Sequence, residues 1–293
     1  MIDYFSDREL GKQPPHTEEV SDEVWSGIRG RISALIDNGA FGESFPETCR
    51  DDRGTVGTDR TSFWNVCKAE IPHLPEYPEH EKPDTTFKIL DLIQFCHRNV
   101  SSPIQLDWHP HFRHHHLKFD KQSGQKAFHE DMNTIFSRNR IAFQLLPDGQ
   151  ISRILPPEIN HLIACCEPSN EDGFEKLFDN AKKKIRNPDP EVRKEALDHI
   201  WDAWERLKSL EKPGDKNKAE STKILLDLAA STPEFRELLE EEANELTKIG
   251  NAFWVRHSET NQISITDPLH VDYLFYRMLS MFFLLLAARR RTP

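Results

Sequence analysis

The sequence predicts a mainly α protein: a small α+β domain over residues 1–170, then a bundle of four or five helices over residues 171–293. Three observations predict it. The first 160 or so residues are punctuated by Pro, Gly and Asp, whereas glycine becomes rare beyond about 170. The later segments carry apolar residues at three- and four-residue spacing, the mark of amphipathic helices. One early segment, AFQLLPDGQISRIL at 142–155, instead sets two short apolar runs around PDGQ, which reads as a hairpin turn.

Taken in order, SDEVWSGIRGRISALIDNG (21–39) puts Val24, Ile28, Ile32, Leu35 and Ile36 on one helical face, with Ser21 as N-cap and Gly39 as stop. FGESFPETCRDDRGTVGTDR reads as a loop of turn residues. A short helix follows around TSFWNVCKAEI, then a proline-rich connector at 72–83. FKILDLIQFCHRNV (87–100) is helical, with Phe87, Leu90, Ile93 and Val100 close to one stripe. In the second half, EKLFDNAKKKI ends at NPDP. A long helix then begins at 191, with Asp189 as cap and Pro190 at its first position. STKILLDLAAS (221–231) is a short helix. PEFRELLEEEANELTKIGNAF (233–253) is a longer one, with Phe235, Leu238, Leu239, Leu246 and Ile249 inward. LHVDYLFYRMLSMFFLLLAARR closes the chain.

A net charge of −11 gives no overall attraction for phosphate backbones, so nucleic-acid binding needs a local patch. The five cysteines are scattered and without CxxC pairing, which predicts free thiols in a reducing cytoplasm. The apolar run at 278–288 is too short to span a bilayer and reads as a buried helix, so no membrane partner is expected. Walker, GxGxxG, HExxH and nucleophile-elbow motifs are missing from the sequence, which removes the support for ATP hydrolysis and oxidoreductase chemistry. No cofactor is expected.

A mixed polar cluster stands at TKIGNAFWVRHSET (247–260), with Asn251, Arg256, His257 and Glu259 beside Trp254. A neutral imidazole can take the proton of a 2′-hydroxyl, and a guanidinium can steady the charge on a phosphorane. The same residues also suit a helix C-terminus, where Arg and His complement the dipole.

Several stretches in order resemble the AbiJ-like abortive-infection family, in which a sensor-type N-terminal domain precedes a HEPN domain. In the C-terminal half they are DAWERLK (202–208), LTKIGNAFWVRHSE (246–259) and VDYLFYRML (271–279). In the N-terminal half they are FSDREL (5–10), GAFGESFPETC (39–49) and HFRHHHLKFD (111–120). The resemblance implies a HEPN-like helical bundle, a homodimer, and metal-independent cleavage of RNA, with tRNA among the candidate substrates. It implies an N-terminal domain that answers a trigger or partner. His257 takes the motif histidine, as general base or acid, and Asn251 the polar position that orients. The motif arginine would fall at residue 250, which is glycine. Arg256 or Arg206 would then clamp the phosphate, with Glu205 and Asp202 as acidic partners. Alternatively, the bundle binds RNA or a protein without cutting.

LDWHPHFRHHHLKFD (106–120) holds His109, His111, His114, His115 and His116. Imidazoles ligate zinc and related metals, but this spacing matches no particular site. As a strand, the run would put His114 and His116 on one face and His115 on the other. Its aromatics and cations also suit single-stranded nucleic acid. Hydrogen bonding of the histidines to backbone in a polar loop is the plainest reading, and no metal is expected.

Overall fold

The computed structural model describes residues 4–11, 13–51, 54–166, 172–212, 217–253 and 263–291. The chain forms two compact units, Met1–Ile154 and Leu155–Pro293.

The first unit runs α1 (Phe5–Leu10), α2 (Asp22–Asp37), β1 (Pro46–Thr48), β2 (Thr55–Thr58), α3 (Arg60–Glu70), α4 (Thr86–Asn99), β3 (Ser102–His109), β4 (His114–Asp120), α5 (Lys121–Arg138), β5 (Phe143–Leu145) and β6 (Ile151–Arg153). Local chemistry explains most of these bounds. Ser21 accepts a hydrogen bond from the Val24 amide and starts α2. Asp59 accepts from the Thr61 and Ser62 amides and starts α3. Thr85 and Asp120 cap α4 and α5 in the same way. All five residues of the predicted α2 face are buried. The apolar faces of α2, α3 and α4 meet in an aromatic core, where the Phe63 ring lies 4.7 Å from Phe41 and 5.4 Å from Phe95.

The strands form three separate antiparallel hairpins, β1–β2, β3–β4 and β5–β6. The last is the one predicted around PDGQ, with Gly149 at φ 88° and the Leu146 amide donating to the Gln150 carbonyl at 2.7 Å. The other two correct the sequence reading. β1–β2 occupies the stretch expected to be a loop, and β3–β4 folds the histidine run into an extended ribbon. Helix α5 is not among the elements the sequence predicts. Its buried Phe128, Met132 and Phe136 nevertheless recur at four-residue spacing. Leu90, Ile93 and Val100 of the predicted α4 stripe are buried, whereas Phe87 in its first turn is 42% exposed.

The second unit contains six helices among the described residues: α6 (Pro157–Cys165), α7 (Asp172–Lys184), α8 (Pro190–Leu207), α9 (Lys218–Ala229), α10 (Pro233–Ala252) and α11 (Pro268–Arg291). The sequence assigns α6 to the N-terminal domain. Its Ile163, with Cys166 after it, instead joins the second core, together with Phe174, Trp201, Trp204 and Phe282. Asp189 accepts from the Glu191 amide at 2.9 Å, with Pro190 as first residue of α8, as predicted. On α10 the inner face is Leu239, Ala243, Leu246 and Gly250. Phe235 and Leu238, expected inward, are 40% and 55% exposed. Helix α11 is long and apolar enough to cross a membrane, but 61% of its most apolar stretch is buried inside the protein.

Candidate functional site

The predicted RNA-directed cluster begins at the last turn of α10. Asn251 is exposed there. Arg256 and His257, with Trp254 and Glu259, lie outside the described residues. Phe253 and Ile263 form a β-bridge, and the Ile263 amide donates to the Ala252 carbonyl at 3.1 Å.

Helix α8 packs along α10 in the opposite sense. Trp204 and Lys208 each donate to the Thr247 hydroxyl at 3.4 Å. One turn back along α8, Trp201 donates to the Leu246 carbonyl at 2.8 Å and covers Gly250. Glu205 lies on α8 between Trp204 and Lys208, the two residues that reach Thr247, itself about one turn before Asn251. Its carboxylate bridges two helices, meeting Lys208 at 2.6 Å and Lys218 of α9. Burial works to raise its pKa, but the hydrogen bonds and charges of the two lysines outweigh it and hold the carboxyl below its usual range. Such a group organises cations rather than carrying protons. Arg206, one residue on, is exposed on α8.

The histidine run builds a second cluster. Arg113, in the left-handed region at φ 57°, reverses the chain, and its amide donates to the His109 carbonyl at 2.9 Å. The turn sets His109 opposite His114 in the ladder. His114 and His116 then share one face, and His115 points away, its Nδ1 2.8 Å from the Leu106 carbonyl. That alternation is the one expected of a strand. Cys49, just after β1, enters from the neighbouring hairpin and is 2% exposed. Its Sγ is 3.2 Å from His114 Nε2 and 3.6 Å from His109 Nδ1. The ligating atoms of Cys49, His109, His114 and His116 all lie within 4.8 Å of one another. The sequence reading missed Cys49, because a residue sixty positions away carries no spacing signal.

The first unit also holds a cavity of about 820 Å³ beside α5, lined by His97, Gln125, Lys126, His129, Asn133 and Arg140 among others. That volume is in the range of small-ligand sites.

In comparison with known proteins, the family model described as AbiJ N-terminal domain 4 matches residues 3–164, more than half of the 293-residue chain. No curated protein and no solved structure matches.

Proposed function

The chain belongs to the AbiJ N-terminal domain 4 family, and on that premise we propose that it is a cytoplasmic abortive-infection defence protein with a HEPN-type, RNA-directed effector in its second unit. In this reading the first unit receives the trigger, for which its cavity offers room. Two copies of the chain pair to form one RNA cleft, which supplies the local positive charge that an acidic chain otherwise lacks.

The observation that supports the effector site is the exposed Asn251 in the last turn of α10. The Phe253–Ile263 bridge brings Ile263 back beside the last turn of α10, which presents Asn251. His257 takes the proton from a ribose 2′-hydroxyl, and the oxygen attacks the adjacent phosphorus. Arg256 clamps the phosphate, and Asn251 orients it. The 5′-oxygen leaves with a proton returned by the imidazolium, giving a 2′,3′-cyclic phosphate. The step is metal-independent. Glu205 holds Lys208 and Lys218 in place, and Arg206 adds an exposed cation.

One observation favours a second reading, a bundle that binds RNA or a protein without cutting. Trp201 occupies the space at Gly250 that the motif arginine would need. Incubating the wild type and His257→Ala with total RNA and with tRNA, without added divalent metal, separates the two. Cleavage by the wild type alone supports the nuclease. RNA retention without cleavage by a folded wild type supports the binding module.

A further inference from the structure

We propose that Cys49, His109, His114 and His116 form a four-coordinate structural site for a zinc-class divalent cation, which fastens the β1–β2 hairpin to the β3–β4 hairpin in the first unit. Neither the family match nor the RNA-directed reading assigns such a site.

The donor set comes first. One thiolate and three imidazoles are borderline-soft ligands that suit zinc and exclude magnesium or calcium, which demand oxygen. Distances come second. Zinc–sulfur bonds of about 2.3 Å and zinc–nitrogen bonds of about 2.0–2.1 Å put the ligand atoms of a tetrahedron roughly 3.3–3.6 Å apart. Cys49 Sγ already lies 3.2 Å and 3.6 Å from the His114 and His109 nitrogens. The three rings form an even triangle, with centroids 5.5 Å apart for His109–His114, 5.4 Å for His109–His116 and 5.5 Å for His114–His116.

Hydrogen bonding alone does not account for the cluster. A neutral thiol carries one proton and can satisfy one imidazole nitrogen. His116 Nε2 is buried without a hydrogen-bond partner. A buried lone pair with no donor is the state a cation resolves. The outer shell fits as well. His109 turns Nδ1 toward the sulfur, and its Nε2 lies 3.4 Å from Asp51 Oδ2. A carboxylate on the far nitrogen is the usual means of fixing a ligand histidine's tautomer and raising its basicity. Phe112 shields the group, its ring 4.9 Å from His109 and 5.9 Å from His114. Four protein ligands complete the coordination shell, which makes the centre structural.

The test uses the full chain, purified without chelators or a metal-affinity tag and dialysed against zinc. Elemental analysis should find one zinc per chain. Cobalt substituted for zinc should give the intense visible bands of a tetrahedral site and a thiolate charge-transfer band in the near ultraviolet. Cys49→Ser should abolish that band, and His116→Ala should cut metal affinity by more than about a hundredfold. Asp51→Asn should weaken it about ten- to a hundredfold. His115→Ala, one residue away on the other face, should keep the metal. A folded wild type that takes up neither zinc nor cobalt overturns the proposal, as does full metal retention in folded Cys49→Ser. Should the ligand variants fail to fold, the wild-type cobalt spectrum decides. A tetrahedral thiolate signature supports the site, and an octahedral or thiolate-free one overturns it. RNA cleavage is read separately, so the two proposals fail independently.

Discussion

Gly250 of α10 lies directly under Trp201 of α8: a β carbon at residue 250 would stand 2.3 Å from the indole Cδ1 and 2.6 Å from Nε1. The indole is held there by its 2.8 Å hydrogen bond to the Leu246 carbonyl. Glycine at residue 250 thus has a packing reason in the bundle itself.

Gly250→Ala is therefore expected to destabilise the second unit. With the indole held in place, the overpacking cost falls toward the top of about 1–3 kcal/mol; set against a helix-propensity gain of about 1 kcal/mol, the net loss is up to about 2 kcal/mol. Gly250→Arg, with its far larger side chain, should cost more still. Urea denaturation measures both. Unchanged midpoints would show that Trp201 swings aside freely.

Glu205 predicts an acid-sensitive link between α8 and α9. Its folded pKa is lowered, so the linkage runs as for a paired carboxylate. The stabilisation is present at neutral pH, above the usual value of about 4.3, and is lost as pH falls through the folded value. Glu205→Gln should cost about 1 kcal/mol at pH 7, since the carboxylate is mostly buried between two lysines. The difference between wild type and variant should shrink below about pH 4. Thermal melts across that range check it, and a pH-independent difference would refute the ion-pair account.

His97 predicts a pH response in the first unit. It is 3% exposed, and burial chiefly, with His129 adding to it and Asp148 opposing, pushes its pKa below the usual value. The folded state keeps His97 neutral while the unfolded chain protonates below about pH 6.5. Stability from this residue is therefore complete above that pH and declines as pH falls through the folded value. An NMR titration of the imidazole should place it below the free-histidine range. A titration at or above that range would sink the prediction. His97→Gln should flatten the stability profile between about pH 7 and pH 5.

Much of the fold was legible because its signals are local. Ser21, Asp189 with Pro190, and the PDGQ turn each act within about four residues of the bond they make, and each does in the structure what its chemistry predicts. Helix α5 was missed, although its Phe128, Met132 and Phe136 recur at four-residue spacing. Its polar, glycine-containing first turn hides that stripe.

The sequence by itself determined the family, the caps and turns, and the spacing by which His114 and His116 share a face once the run is extended. Only the tertiary structure decided what those pieces meet. It brought Cys49 to the histidines, set Trp201 over Gly250, moved α6 into the second core, and left Phe235 and Leu238 at the surface. The physical reason is range. Caps, turns and periodicity are contacts between near neighbours, written in the order of residues. A cluster closed across sixty residues, or a glycine required by a neighbouring indole, depends on where separate elements pack, and no short spacing in the chain records that.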